Sequence, residues 1–303
     1  MRARRSCLSV PGSSEKMLTK AAGLEADELV LDLEDAVAPG QKDAARELVA
    51  SFLGDGGLAG RTVAVRINAL DTSWCHRDVV ELVERAAPAI ASLVLPKVES
   101  AADVQWVDRL LGMLGEPAAA IALQALVETA AGLARAVEIA AASPRLDALI
   151  LGYADLSASL DRATGNEDPP VRWLHAQETL LVAARSAALQ AIDGPYLAIR
   201  DGEGLRRRAQ HARGLGFDGK WAVHPDQVAV IDDAFTPRVE EFDRASAVVA
   251  ALERAESGAG AGALELDGEM IDEASRKLAL QVVARGRAAG LAGASAGAPG
   301  ADS

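Results

Sequence analysis

Two carboxylates, Glu128 and Asp155, each stand just past a short apolar run, 121–127 in the first case and 148–151 in the second. Between them an alanine-rich amphipathic segment, 129–142, ends at Pro144. A run, a helix and a second run make a βαβ unit, whose parallel strands bring both side chains to one rim of a sheet. Hard oxygen ligands on adjacent strand ends suit a divalent cation such as Mg²⁺, with Mn²⁺ as the alternative. The competing reading is structural: Glu128 caps the helix after it and Asp155 pairs with an arginine.

The elements that must position these groups alternate along the chain. Apolar runs at 6–10, 28–33, 62–67, 93–95, 121–127, 148–151, 191–192 and 219–223 are followed by helical patterns at 15–22, 41–52, 76–87, 101–114, 129–142, 171–188, 202–213 and 225–234. The run at 191–192 is the weakest. Eight such repeats predict an α/β fold of the (β/α)₈ TIM barrel type. An open doubly wound sheet would carry a glycine fingerprint after its first strand, and Pro11-Gly12-Ser13-Ser14 is not one. On the barrel reading the strand ends form a ring: Asp32, Glu34 and Asp35, then Arg66, Lys97, Glu128, Asp155 and His224. So many acids beside one arginine are costly in a shielded site unless a cation neutralises them. Arg66 is then left to grip a carboxylate or oxyanion. Each basic group has a plainer role open to it: Arg66 as an ion-pair partner, Lys97 as a solvated rim charge, His224 as a hydrogen-bonding strand end. Together they point to metal-assisted carbon–carbon bond chemistry.

Composition narrows the class. Of 303 residues 50% are hydrophobic but only 3% aromatic, so Ala, Leu and Val must build the core. A net charge of −13 argues against a nucleic-acid partner. No apolar run has the length of a membrane span, and 6–12 is too short for a signal-peptide core. Cys7 and Cys75 make neither a disulfide framework nor a zinc spacing, which places the chain in the cytoplasm by default. The expected domains are a catalytic barrel over 1–236, an additional helix over 237–256, a linker and C-terminal hairpin-plus-helix lid over 257–290, and a disordered Gly/Ala/Ser tail over 291–303. The hairpin turns at Asp267-Gly268. Too small for a core of its own, the lid must dock on its own barrel or a neighbour's.

The blocks LSVPGSSEKM, LDLEDAVAPGQK, VRINALDT, LPKVESAADV, LVETAAG, GYADLSAS, GKWAVHPDQV and GEMIDEAS run in order from about residue 5 to 285. In this the chain resembles the citrate lyase β-subunit-like family of the HpcH/HpaI aldolase superfamily, and within it the malyl-CoA/β-methylmalyl-CoA lyases. The resemblance implies a TIM barrel with a C-terminal lid, in homotrimers or hexamers where the lid closes a neighbour's active site. It implies Mg²⁺ bound by Glu128 and Asp155, and a coenzyme A ester as substrate. Arg66 would contact the acyl and glyoxylate oxygens, while Ala154, Asp155, Val223 and His224 line the substrate site. Lys16 falls where the family contacts CoA, with Ser9 and Ser14 beside it. Asp272 in the lid matches the catalytic acid/base, and Asp32, Glu34, Asp35 and Lys97 support the rim. The chain departs from the family at Ser9, where a bulky residue is common, at Ser14, where arginine is, and in a shorter loop at 161–170. The implied reaction is cleavage of malyl-CoA or β-methylmalyl-CoA to glyoxylate and acetyl-CoA or propionyl-CoA. A malyl-CoA thioesterase, a citramalyl-CoA lyase and a non-catalytic metal- and carboxylate-binding subunit are the alternatives. A Schiff base on Lys97 is disfavoured because thioesters do not readily form one.

Overall fold

The computed structural model describes residues 2–162, 172–256 and 263–291. Most of the loop at 161–170, the linker at 257–263 and the tail at 291–303 therefore lie outside the described residues. Within Arg4–Phe235, eight parallel strands close into a barrel in sequence order. They are β1 (Ser6–Pro11), β2 (Glu28–Asp32), β3 (Val63–Arg66), β4 (Ser92–Leu95), β5 (Ala122–Val127), β6 (Leu146–Leu151), β7 (Gln190–Asp193) and β8 (Gly219–Ala222), which pairs back onto β1. Around them lie α1 (Glu15–Ala21), α2 (Lys42–Gly54), α3 (Cys75–Ala86), α4 (Ala101–Met113), α5 (Ala130–Ala134), α6 (Ala136–Ala140), α7 (Tyr153–Ser159), α8 (Leu174–Ser186), α9 (Gly202–Leu215) and α10 (Val228–Phe235).

Strands enclosed on both faces carry apolar residues at nearly every position, which is why β2 and β4 are buried throughout. One face packs on the helices. The other fills the barrel with Val30, Ala64, Val94, Leu126, Ile150 and Trp221, small residues leaving room for the indole. β7 is longer than its two apolar residues suggested, because its polar ends have buried partners: Gln190 with Arg4, and Asp193 with Lys220. The single helix expected at 129–142 is two short ones, broken at Arg135, whose N–H donates back to Gly132. α7 was not foreseen; two turns are too few to register as a helical period.

At the N-terminal end of the barrel Arg4 acts as a polar plug. Its guanidinium donates to Glu28 (3.0 Å), Gln190 (2.7 Å) and Asp147 (2.8 Å), and Gln124 donates to both oxygens of Glu28 and to Ser92.

The chain from Thr236 onward forms a second compact unit. Here α11 (Val239–Glu256), the antiparallel hairpin β9 (Ala263–Leu266) and β10 (Glu269–Asp272), and α12 (Glu273–Ala288) share a small core around Phe242, Val248, Ile271 and Val283. The hairpin turns at Asp267 and Gly268, both at positive φ (52° and 81°), the conformation that favours Asp-Gly in a two-residue turn. Gly286 is packed so closely on Phe242 that a Cβ there would enter the ring.

The plug gives a stability prediction. Arg4→Met leaves the fully buried Glu28 without its cation and is expected to cost ~3–5 kcal/mol in urea unfolding. A loss under ~1 kcal/mol would mean that Gln124 alone satisfies that carboxylate.

Candidate active site

The C-terminal strand ends hold two groups of charges with different partners. In the first, Asp32 and Arg66 sit side by side in register on β2 and β3 and share the barrel's inner face. Two parallel hydrogen bonds join them, Nε to Oδ1 (2.8 Å) and Nη2 to Oδ2 (2.5 Å). Asp32 also accepts the N–H groups of Glu34 (2.8 Å) and Ala36 (3.3 Å), folding the chain back over the pair. Glu34 is thereby brought within 2.9 Å of Arg66 Nη1, and Asp35 within 3.8 Å. The Glu34 contact is electrostatic rather than a directed hydrogen bond, so its buried Oε2 keeps an unfilled acceptor site. The other Glu34 oxygen accepts from Lys97 Nζ. Lys42 holds the turn from beneath, donating to the carbonyls of Leu33 (2.9 Å) and Glu34 (2.7 Å), and the Trp221 ring lies 5.9 Å from the Arg66 guanidinium.

Burial raises the Glu34 carboxyl, against the pull of Arg66 and Lys97. Burial pulls the Lys97 amine down, but the Glu34 carboxylate outweighs it and the net shift is upward. Lys97 therefore stays a cation, which suits charge pairing and not amine nucleophilicity.

The second group is Glu128 and Asp155. Glu128 follows β5 and is 3% exposed, with Oε1 accepting the backbone N–H of Lys97 (2.9 Å). To present that N–H, Lys97 takes a left-handed backbone (φ 52°). The Oε2 atom lies where a Cβ on Gly152 would come within 2.5 Å, so only glycine at the end of β6 leaves room for this carboxylate. Asp155 sits in the first turn of α7. Neither limb of the structural alternative holds. The cap of α5 is Thr129, whose Oγ1 accepts from Gly132 (3.0 Å), and among the described residues Asp155 has no arginine partner. Burial first, then the charges of Asp155 and Glu34, push the Glu128 carboxyl up to about 8.

This is the arrangement a divalent cation relieves. Among the described residues no three His, Cys, Asp or Glu converge into a complete protein cage. Two carboxylates with the remaining positions left to water and substrate fit Mg²⁺, which keeps much of its hydration. The acids expected to form one uncompensated pool instead divide: Asp32, Glu34 and Asp35 are paired with Arg66 and Lys97, while among the described residues neither Glu128 nor Asp155 has an ion pair with a basic side chain.

The remaining expected site residues fall into three sets. Ala154 is exposed beside Asp155; Val223 is partly buried, its N–H held by Gln227 (2.9 Å), and His224 accepts from Asp226 N–H (3.2 Å) as a turn cap. Ser9 shares the inner face with Val30, Ser14 caps α1 through Met17 N–H (3.4 Å), and Lys16 is exposed on α1. Asp272 belongs to the second unit, where its Oδ1 caps α12 by accepting the N–H (3.0 Å) and Oγ–H (3.1 Å) of Ser275. Trp221, Lys42, Gly152 and Gln227 were missed. Trp221 carried a signal, since inward parity on β8 also selects Val223; the others act through backbone contacts that residue type does not advertise.

Two variants test the carboxylate pair. Gly152→Ala should displace Glu128 and weaken Mg²⁺ binding by roughly 10-fold in calorimetric titration. A carboxyl whose folded pKa lies above its unfolded value stabilises the fold fully below the unfolded value, and that contribution is lost as pH rises through the folded pKa. Metal-free protein should therefore lose Tm from about pH 5 to about pH 9 more steeply than Glu128→Gln. Identical slopes would place Glu128 in a hydrated environment.

Residues 5–225 match the HpcH/HpaI aldolase/citrate lyase family. The chain is 38% identical over 303 aligned positions to the L-malyl-CoA/β-methylmalyl-CoA lyase of Rhodobacter capsulatus, spanning 93% of this chain and 94% of that protein. It is 39% identical over 287 positions to a (3S)-malyl-CoA thioesterase of Cereibacter sphaeroides, spanning 94% and 95%. The fold is similar to Mycobacterium tuberculosis CitE, solved with magnesium, acetoacetate and coenzyme A, with TM-score 0.74, 33% identity and coverage of 95% and 100%. No helix among the described residues is long and apolar enough to cross a membrane. Barrel, paired strand-end carboxylates and full-length similarity agree: this chain belongs to the HpcH/HpaI aldolase/citrate lyase family.

Proposed function

We propose that the protein is a Mg²⁺-dependent CoA-ester lyase that reversibly cleaves malyl-CoA or β-methylmalyl-CoA to glyoxylate and acetyl-CoA or propionyl-CoA. The observation that carries this reading is the carboxylate pair of buried Glu128 and half-buried Asp155, neither of which has an ion pair with a basic side chain among the described residues, on the same rim as an arginine anchored by Asp32. Glu128 and Asp155 would hold the ion. When bound, Mg²⁺ supplies Lewis-acid polarisation of the substrate's carboxylate and hydroxyl oxygens.

The chain's own groups do the rest. Asp32 occupies Nε and one hydrogen of Arg66 Nη2 and Glu34 faces Nη1, which leaves the second hydrogen of Nη2 for the oxygen where negative charge develops as the carbon–carbon bond breaks. Because the Asp32 bonds fix the guanidinium before substrate arrives, it stabilises that charge with little reorganisation. Ala154 and Asp155 offer backbone N–H groups at the start of α7, and Val223 and His224 close the opposite wall. Asp272 would take the hydroxyl proton during cleavage and return it to the carbon of the departing enolate, and in condensation it would carry the proton back from the acyl-CoA carbon to the new alkoxide. Ser275's N–H and hydroxyl orient the Asp272 carboxylate and lower its pKa. We further propose a cytoplasmic homotrimer or hexamer in which this lid serves a neighbouring copy, with CoA contacted near Lys16.

The similarity to a malyl-CoA thioesterase supports a second reading, in which the same site directs water at the thioester. Glyoxylate and free CoA distinguish the two. With malyl-CoA and Mg²⁺ we expect stoichiometric glyoxylate, lost on EDTA treatment and restored by Mg²⁺; free CoA without glyoxylate would select the thioesterase, and pyruvate from citramalyl-CoA a different acyl group. Asp272→Asn should retain CoA-ester binding and lose about 10²-fold or more in kcat. Near-normal turnover would reduce Asp272 to a helix cap.

A further inference from the structure

Asp155 rides on a helix of seven residues, too short to hold its own orientation in water. Something outside the helix must aim it. Leu156 and Ser157 are buried beneath, and Ser159 Oγ at the far end of the helix accepts the N–H of Ala130 (2.9 Å). At the end that carries Asp155 the anchor is Tyr153, the first residue of α7. Its hydroxyl bonds Asp193 Oδ1 at the end of β7, and Gln177 Nε2 on α8 donates to the same hydroxyl (2.8 Å) and to Asp193 (3.3 Å). Lys220 on β8 donates to the other Asp193 oxygen (2.5 Å) and to Gly194 C=O (2.6 Å), and lies 6.0 Å from the centre of the Tyr153 ring. Trp173 packs on the ring at 5.1 Å, tilted 55°. Gly194 completes the socket, since a Cβ there would come within 2.6 Å of the ring.

We propose that Tyr153 is a positioning residue for the divalent-cation site, its hydroxyl locking α7 to the Asp193–Lys220 ion pair so that Asp155 meets the ion opposite Glu128. The tyrosine touches neither the ion nor the substrate. It converts a buried ion pair in the layer between strands and helices into a fixed direction for a carboxylate at the barrel mouth. Outer groups of this kind typically alter metal affinity by about 10–100-fold. The inference rests on Glu128 and Asp155 being the ligands.

Calorimetric titration of Mg²⁺ into substrate-free protein tests it, with Tm in EDTA measured alongside. Tyr153→Phe keeps the ring in its socket and removes only the hydroxyl. We expect Mg²⁺ to bind about 10-fold more weakly, with Tm in EDTA lower by no more than about 4 °C. Gln177→Leu, which strips a donor from the same hydroxyl from across the helix layer, should weaken binding in the same direction and decides the matter if Tyr153→Phe does not fold. A lowered Tm with wild-type Mg²⁺ affinity in both variants would make the network merely structural and overturn the inference, leaving the metal site itself intact. Wild-type protein that takes up no Mg²⁺ would overturn the proposed function, and this inference with it.

Discussion

Buried carboxylates must be neutralised, and at the mouth of this barrel the protein's own cations are already spoken for. Arg66 is bound to Asp32 through two parallel bonds and lies against Glu34, whose other oxygen takes Lys97. Glu128 and Asp155 remain. Had either faced a spare guanidinium, the site would be closed and self-sufficient. Because among the described residues neither does, the fold carries an uncompensated carboxylate pair next to a pre-oriented guanidinium, with Lys97 in contact with both groups. On the proposed reading that asymmetry would offer one place to a cation and another to developing negative charge.

The supporting structure is largely backbone. Asp32 bends the following chain by accepting two N–H groups, Lys42 grips two carbonyls of the same turn, and Gln227 ties Val223 N–H to Tyr196 C=O (2.8 Å). Each of these side chains is spent on holding a loop against the barrel. Loops on a rigid scaffold are where such folds concentrate their chemistry, and here the loops are fixed by bonds that cost no conformational freedom on ligand binding.

Much of this was legible in the sequence. The barrel could be read from eight apolar runs alternating with helical patterns, and Glu128, Asp155, Arg66 and Asp32 from their places just past those runs. Recognising ordered motif blocks assigned chemistry that periodicity alone could not. The remainder was hidden for identifiable reasons. The ends of β7 are polar, and only the structure shows that Arg4 and Lys220 make them buriable. α7 is shorter than the window in which a helical period can be seen. Gly152 matters for what it lacks, and that becomes visible only when the Glu128 carboxylate is found in the vacated space. Most informative was the division of the rim acids: charge counting gave one crowded pool, whereas pairing geometry gives a saturated group and an open one.

Lys97 contributes to both groups by different parts of one residue. Its ammonium belongs to Glu34, yet its main-chain N–H belongs to Glu128, and the backbone twist that delivers that N–H would suit glycine better than lysine. Side chain and main chain can thus be altered independently at this position. A change of side chain at residue 97 would reset the charge beside the arginine and shift the field at Glu128, while the main-chain N–H that Glu128 accepts would stay.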